Sequence, residues 1–201
     1  MTHNTLTRSS RIVRRAENQG SRSADARVLP QCSKNQLQNS LLKCKSQVIV
    51  SSFNVRTLNT LNQLPELVSS AIKFNIDVIC VQEHRFFHDN LELKYHEVGK
   101  GWTFISASAW KNSTNATIGG VGILISPRAM KCMNCIEKIL PRMIIVTFNG
   151  NPQTTVISCY SPTNVSQESD VEDFYKALSS LVRDVPRHNV LLIGGDMNAQ
   201  L

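Results

Sequence analysis

Five polar residues of this sequence stand at the ends of short apolar segments, where their side chains could take part in chemistry. The most distinctive pair is Asp196 and Asn198, which follow the apolar run Val190-Leu191-Leu192-Ile193. Asn54 follows residues 48–50, Glu83 follows 77–81 and Tyr160 follows 155–159. An apolar strand that ends in a polar residue is a common way for α/β proteins to build a site. We therefore predict that these five side chains converge at one end of the strands.

The residue types of this set favour metal-assisted chemistry on a phosphate. Glu83 and Asp196 supply carboxylates, and Asn54 and Asn198 add neutral oxygens, which together suit Mg²⁺ or Mn²⁺. Asp196 could orient or deprotonate a water molecule, while the metal stabilises charge on the phosphate. Tyr160 and Asn198 could donate hydrogen bonds to that phosphate. Each residue alone is an ordinary turn or surface residue, so the hypothesis depends on their joint appearance.

Strands and helices alternate along residues 47–201. Apolar periodicity predicts helices at 61–74 and 169–183, the second with a capping box of Ser169 and Glu172. Strands are predicted at 47–53, 77–82, 102–105, 119–125, 143–148, 153–160 and 189–195. Asn149-Gly150 predicts a hairpin turn. Because helices separate some strands and hairpins join others, we predict an α/β fold with mixed sheets.

Positive charge is concentrated in the first 46 residues. They hold nine Lys or Arg and two Asp or Glu, which accounts for the whole net charge of +7, whereas residues 47–201 hold 13 of each sign. Few large apolar side chains occur in residues 1–46, so we predict a disordered basic tail followed by one domain over 47–201. Such a tail favours an anionic partner such as nucleic acid, or nuclear targeting. A solvated leader without specific contacts is the alternative.

The sequence favours neither secretion nor a membrane location. It has no apolar segment typical of a secretory signal and no run of about 18 apolar residues that could span a bilayer. We therefore expect an intracellular and, given the basic tail, nuclear location. No feature of the sequence calls for an obligate protein partner.

The polar residues lie in motifs that resemble those of the endonuclease/exonuclease/phosphatase superfamily. In chain order these motifs are Asn54, Gln82-Glu83, Tyr160-Ser161-Pro162 and Gly195-Asp196-Met197-Asn198. The segments Phe53–Leu58, Val81–Arg85 and Tyr160–Asn164 are most similar to the apurinic-like endonuclease of non-LTR retrotransposons, particularly of the RTE type. The resemblance covers about residues 47–201. It implies a DNase I-like four-layer α/β sandwich, two mixed sheets flanked by helices, and divalent-metal-dependent cleavage of phosphodiester bonds in DNA.

The same resemblance implies roles for individual residues. Glu83 is the main metal ligand, for Mg²⁺ or Mn²⁺, and Asn54 assists it. Asp196 activates the nucleophile and Asn198 supports Asp196. Tyr160 contacts the phosphate region.

Two further residues, Asn164 and Arg56, are implied to bind substrate. Arg56 stands where DNA-repair relatives carry an acidic residue, which favours the retrotransposon branch. The superfamily's closing strands and terminal histidine do not follow Asp196 in these 201 residues, so we expect the fold to lack its last strands and the activity to be impaired. Two alternatives are a phosphatase or phosphodiesterase acting on inositol phosphates, sphingomyelin or RNA tails, and a non-catalytic nucleic-acid-binding remnant.

Overall fold

A computed structural model describes residues 40–42, 47–58, 63–88, 92–163 and 166–198. The helices are α1 (Leu64–Lys73), α2 (Pro127–Met130) and α3 (Glu168–Asp184). The strands are β1 (Val50–Asn54), β2 (Val78–Gln82), β3 (Lys94–Gly99), β4 (Trp102–Ser106), β5 (Trp110–Lys111), β6 (Thr117–Ile118), β7 (Val121–Ile125), β8 (Met133–Leu140), β9 (Met143–Phe148), β10 (Thr154–Tyr160) and β11 (Val190–Asp196). None of these helices is both long and apolar enough to cross a membrane.

The strands form two mixed sheets and one small hairpin. The first sheet has the order β1-β2-β7-β4-β3 and the second has the order β11-β10-β9-β8, while β5 pairs with β6. The pairs β1/β2 and β10/β11 are parallel, and every other pair is antiparallel. Each parallel pair is joined by a helical crossover, as parallel strands require: α1 connects β1 to β2, and α3 connects β10 to β11.

Alternation of side chains along β2 shows how the layers are assembled. Successive residues of a strand point to opposite faces of its sheet. Val78 and Cys80 accordingly join the core shared by the two sheets, whereas Ile79 and Val81 join a second core that contains Val68 of α1. Burial of one large aliphatic side chain contributes about 1.5–3 kcal/mol.

The second sheet repeats this arrangement with α3. Ile145 and Ile157 pack in a third core with Phe174, Leu178 and Leu181 of α3. The molecule therefore has four layers, in the order α1, first sheet, second sheet, α3. This confirms the predicted DNase I-like sandwich of two mixed sheets flanked by helices.

The start of α3 differs from the prediction. The helix begins at Glu168, and its N-cap residue, Gln167, makes no side-chain capping hydrogen bond. Ser169 is thus already inside the helix, and the predicted capping box is wrong. Glu172 instead forms an ion pair with Lys176 one turn later, at 2.7 Å.

Five elements were not anticipated. The strands β3 and β8 lie at the outer edges of their sheets, where most side chains are exposed or half-buried and no strong apolar pattern is needed. The strands β5 and β6 are two residues long each, too short for a pattern. The short helix α2 begins at Pro127, soon after the strand predicted at 119–125. Ser126 caps this helix, because its hydroxyl accepts a hydrogen bond from Ala129 N at 3.2 Å.

Leu41 corrects the predicted boundary of the domain. Its side chain is fully buried in the core between the sheets, and its N–H donates to Asn149 O at 2.7 Å. The prediction of a disordered tail over residues 1–46 is therefore not met at Leu41. Leu41 and Leu42 stand between polar residues, and two adjacent leucines have no helical or strand periodicity, so this contact was not predictable from the local pattern. The rest of that segment, 1–39 and 43–46, lies outside the described residues.

The strands β1 and β11 form neighbouring edges of the two sheets and contact each other across the sandwich. Gly194 makes the approach of β11 to the first sheet possible, since a Cβ at that position would lie 2.7 Å from the Cys80 sulfur on β2 and 3.3 Å from Ser52 Cβ on β1. Phe53 on β1 and Leu192 and Ile193 on β11 are exposed apolar residues at these edges.

Candidate active site

Four strand ends meet at one edge of the sandwich, as predicted. Asn54 is the last residue of β1 and is paired in register with Gln82, the residue before Glu83. Tyr160 and Asp196 are the last residues of β10 and β11 and are paired with each other. Parallel pairing places the carboxyl ends of both strands of a pair on the same side, so the four residues share one rim.

Asn54 links two carboxylates that come from different sheets. Its amide nitrogen donates to Glu83 Oε1 and to Asp196 Oδ2, each at 2.8 Å. The amide oxygen of Asn54 accepts from Arg56 N at 2.9 Å, which fixes the orientation of the amide. The two carboxylate oxygens thus converge on a single nitrogen atom.

Asn198 completes the hydrogen bonding of Asp196. Its backbone N–H donates to Asp196 Oδ1 at 2.9 Å, and its amide nitrogen donates to Ser161 O at 2.6 Å. Both oxygens of Asp196 therefore accept a hydrogen bond, which sets the plane of the carboxylate. Asn198 has a left-handed backbone, with φ of 47°, a conformation that asparagine adopts more readily than most residues.

The segment from Glu83 to Arg85 is strained. Glu83 has φ of 56° and Arg85 has φ of 58°, and left-handed backbone at a non-glycine residue costs about 1–3 kcal/mol. Hydrogen bonds hold the segment in place, since Glu83 N and Arg85 N donate to Gly120 O and Gly119 O, each at 2.9 Å. The Arg85 guanidinium also lies 3.3 Å from Glu83 Oε2. Such strain concentrates at functional sites, which supports a role for Glu83.

His84 anchors this segment, and sequence reasoning did not assign it a role. It is fully buried; its Nε2 lies 3.1 Å from Val121 O, and its Nδ1 accepts from Phe86 N at 3.0 Å. Burial lowers the pKa of His84 to about 4, so the ring is neutral at physiological pH. A Cβ at Gly120 would lie 2.6 Å from the ring. In the sequence, the Gly119-Gly120 pair before an apolar strand was the feature that could have indicated this close packing.

Tyr160 can donate a hydrogen bond at neutral pH. Its side chain is largely buried, and this burial raises the pKa of the phenol, with a further contribution from the negative charge of Glu83. Asn198 and Glu83 are hydrogen-bonding neighbours of its hydroxyl group. The hydroxyl therefore remains protonated beside the two carboxylates.

Arg56 is not brought into this cluster. The Arg56 side chain is exposed, and only its backbone N–H contacts Asn54. Asn164 lies outside the described residues. A group that the sequence did not reveal borders Tyr160: the Arg142 guanidinium carbon lies 5.4 Å from the Tyr160 ring centroid and 4.1 Å from the Trp110 ring centroid.

The donor set fits a hard divalent cation. Glu83 Oε1 and Asp196 Oδ2 face the same point, and Mg²⁺ commonly uses one or two protein carboxylates while keeping several waters. Within the described ranges, no group of three or more His, Cys, Asp or Glu residues is arranged to hold a metal. Asn54 would contribute its oxygen only if the amide rotated and released Arg56 N.

Comparison with known proteins agrees with this fold. Craniofacial development protein 2 of Bos taurus is 27% identical over 165 residues, which are 82% of this chain and 26% of the relative. The chain thus spans about a quarter of the length of the curated relatives that it matches.

The solved structures that share the fold include two of TDP2 and one of NExo. Humanized D. rerio TDP2 with 14 mutations has a TM-score of 0.52 at 13% identity, covering 76% of this chain and 63% of that one. D. rerio TDP2 complexed with single strand DNA product has a TM-score of 0.50 at 14% identity, covering 77% and 62%. The 3'-5' exonuclease NExo of Neisseria meningitidis has a TM-score of 0.51 at 20% identity, covering 74% and 57%.

A family model matches residues 51–201, a range that contains Asn54, Glu83, Tyr160, Asp196 and Asn198. Three quarters of the chain lie within this range. The chain belongs to the Endonuclease/Exonuclease/phosphatase family.

Proposed function

We propose that this chain carries a divalent-metal-dependent site that hydrolyses phosphodiester bonds in DNA, of the retrotransposon endonuclease type. The observation that carries the proposal is the convergence of Glu83 Oε1 and Asp196 Oδ2 within 2.8 Å of one amide nitrogen, that of Asn54. Two carboxylates held this close in a partly buried site repel each other unless a cation or donor separates them. Similarity to a fold that has been solved with a DNA product supports DNA as the substrate class.

Glu83 and Asn54 would hold the cation, and Mg²⁺ or Mn²⁺ suits their oxygens. When bound, such a cation neutralises negative charge on the phosphate. Asp196 would orient the attacking water and accept its proton. Its hydrogen bonds from Asn54 and Asn198 fix the direction in which it accepts.

Tyr160 and Asn198 would hold the phosphate through hydrogen bonds. The phenol of Tyr160 keeps its proton because burial and Glu83 raise its pKa. Asn198 donates from its amide nitrogen to Ser161 O, and its amide also neighbours the Tyr160 hydroxyl. Since an amide group has two N–H donors, Asn198 and Tyr160 would meet the phosphate together. Preorganised donors of this kind typically contribute about a hundredfold to a thousandfold in rate.

DNA binding would extend beyond this cluster. We propose Arg56, with its exposed side chain, and Asn164 as substrate-binding residues, and the basic segment over residues 1–46 as a nonspecific electrostatic contact with DNA. A domain over 47–201, into whose core Leu41 packs from the preceding segment, and a nuclear location are part of the same proposal.

Metal binding tests the proposal without requiring turnover. Titration with Mn²⁺, followed by calorimetry, should show one site in the parent chain and at least tenfold weaker binding in Glu83→Gln. Asp173→Asn, which removes an exposed carboxylate on α3, is the matched control and should bind as the parent does. Equal Mn²⁺ affinity of Glu83→Gln and the parent would refute the metal site.

Nicking of supercoiled plasmid in Mg²⁺ then separates the candidate functions. Nicking that is lost in Glu83→Gln and Asp196→Asn supports the endonuclease. Salt-dependent DNA binding with no cleavage would indicate a non-catalytic nucleic-acid-binding protein. Release of phosphate from inositol phosphates, without DNA cleavage, would indicate a phosphatase.

A further inference from the structure

Arg142 carries a buried cationic group that the site described above leaves unused. It lies in the turn between β8 and β9, and its Nη1 is buried without a hydrogen-bond partner in the described part of the chain. A buried donor without a partner is costly, and more so when the group is charged. Such groups are uncommon in folded proteins, so this one calls for a functional explanation.

The guanidinium is held in a fixed position by aromatic rings. Its central carbon lies 4.1 Å from the centroid of the Trp110 ring and 5.4 Å from that of Tyr160, within the range of cation–π attraction. The two rings are themselves 6.3 Å apart. The backbone gives a further link, because Tyr160 N donates to Arg142 O at 3.0 Å. Arg142 is therefore oriented before any ligand arrives.

The position of the Trp110 ring under Arg142, here called the Trp110 platform, depends on a close approach of the Gly119 backbone. Trp110 begins the β5–β6 hairpin, and a Cβ added at Gly119, directly after β6, would lie 2.1 Å from the Trp110 ring. Gly119 has φ of 69°, in the left-handed region that glycine favours. The same glycine accepts the hydrogen bond from Arg85 N. The platform and the Glu83 segment are thus built on adjoining backbone.

No carboxylate neutralises Arg142 directly. Among the described residues, ion pairs within 4.0 Å involve Arg85, Arg128 and Lys176 and not Arg142. Asp170, at the start of α3, is a more distant acidic neighbour that favours the charged form. A rigid guanidinium with an unpaired donor beside a phosphate-binding tyrosine has the geometry that recognises a phosphate oxygen.

We propose that Arg142, oriented by Trp110, binds a non-bridging oxygen of a phosphodiester through its half-buried guanidinium and so positions the substrate against Tyr160. This inference rests on the proposed function, since it names a further substrate-positioning residue of the same site. The ligand class is a nucleic-acid phosphodiester.

The probe is the dinucleotide d(TpT), which has a single phosphodiester and so gives residues 1–46 little to bind. Trp110 reports binding directly in a Trp102→Phe background, because the sequence has only two tryptophans. We expect d(TpT) to change Trp110 emission in a saturable manner. Arg142→Gln should weaken this binding about tenfold or more, as expected for the loss of a charge-assisted hydrogen bond.

Two further variants test whether d(TpT) binding depends on a positive charge at residue 142 in particular or on positive charge anywhere on the protein. Arg142→Lys should recover part of the affinity, whereas Arg183→Gln, which removes an exposed charge near the end of α3, should leave the affinity unchanged. Thermal melting of each variant checks that it is folded. If Arg142→Gln is unfolded, Gly119→Ala should weaken d(TpT) binding by displacing Trp110 while it leaves the Arg142 charge in place.

The outcomes distinguish this inference from the proposed function. Absence of d(TpT) binding by the parent, or equal affinity of folded Arg142→Gln and the parent, would overturn the role of Arg142. If the parent binds Mn²⁺ at Glu83 in that case, the proposed metal site still stands. Conversely, Arg142-dependent d(TpT) binding in EDTA, together with Mn²⁺ binding that is indifferent to Glu83, would refute only the metal site.

Discussion

The amide nitrogen of Asn54 lies 2.8 Å from Asp196 Oδ2 and joins the last residue of β1 to the last residue of β11. The two residues are 142 positions apart in sequence and belong to different sheets. The candidate site therefore exists only when the two sheets are packed together. Its hydrogen bonds contribute to that packing as well as to chemistry.

Asn54→Ala should destabilise the protein in a metal-dependent way. The substitution removes the donor between Glu83 and Asp196, so the two carboxylates face each other uncompensated. We expect a loss of about 1–3 kcal/mol in the free energy of unfolding, measured by urea denaturation. Saturating Mn²⁺ should recover part of this loss if a cation replaces the amide hydrogens.

Asn189→Ala is the matched control for that experiment. Asn189 donates to Gln153 at 3.1 Å next to the opposite end of β11, away from any carboxylate pair. Its replacement should cost less, and Mn²⁺ should not reduce that cost. Equal recovery by Mn²⁺ in both variants would indicate that the metal acts elsewhere.

Stability should fall as the pH drops from about 6.5 to 4 because of His84. Burial lowers the pKa of His84 to about 4 in the folded state, from an ordinary value of 6.5. The unfolded chain therefore binds the proton first, and the stability present above pH 6.5 is lost as the pH falls toward 4. The loss amounts to about 3 kcal/mol. Urea unfolding across this pH range measures it.

His84→Gln should flatten this pH dependence while lowering stability at every pH, because glutamine cannot titrate in this range. The exposed His188 serves as control, and His188→Gln should keep the slope of the parent. A pH profile for His84→Gln that is as steep as the parent's would show that another group is responsible.

Gly195→Ala should be more damaging than substitution of a glycine in open space. A Cβ at Gly195 would lie 2.5 Å from Cys159 O, a backbone atom of the neighbouring strand that cannot move aside easily. Overpacking of this kind costs about 1–3 kcal/mol or more. Gly99→Ala is the comparison, since no atom lies within 4 Å of its added Cβ and only its φ of 97° is unfavourable. Thermal melting that ranks Gly99→Ala as the more destabilising variant would contradict the packing argument.

Deletion of residues 1–39 should weaken DNA binding and reduce its salt dependence. The deleted segment has seven Lys or Arg and two Asp or Glu, and each phosphate contact that is lost lowers the salt slope by about one. The deletion stops before Leu41, because that side chain is part of the core. The measurement is DNA affinity between about 50 and 200 mM salt.

The control for this deletion is the full chain with its seven basic residues in 1–39 replaced by glutamine. It should reproduce the weaker affinity and the shallower slope, since charge and not length determines counterion release. An unchanged slope in either variant would leave only two interpretations of the segment, nuclear targeting and a solvated leader without specific contacts.

The convergence at the strand ends was predictable because it follows from parallel pairing. Once Asn54, Glu83 and Asp196 are recognised as strand-end residues, the sandwich places them on one rim. The mixed sheets were also predictable. A helix between two strands predicts a parallel pair, and the turn at Asn149-Gly150 predicts an antiparallel pair.

Other parts of the site could not be read from local pattern. Arg142 and Trp110 lie in different sheets and hairpins, and neither stands in a motif, so only the packing of the sandwich brings them to Tyr160. Leu41 reaches the core from a leucine pair, Leu41-Leu42, that has no periodicity. The strain at Glu83 is also a tertiary effect, imposed by hydrogen bonds to Gly119 and Gly120.

The left-handed backbone of Glu83 and Arg85 favours glycine at both positions, whereas the candidate site needs the carboxylate of Glu83. Glycine at either position would relieve steric strain, but at residue 83 it would also remove the carboxylate that accepts a hydrogen bond from Asn54 and pairs with Arg85. A redesign that lowers backbone strain alone would replace Glu83 early. It would then remove the proposed metal ligand together with a hydrogen bond of the candidate site.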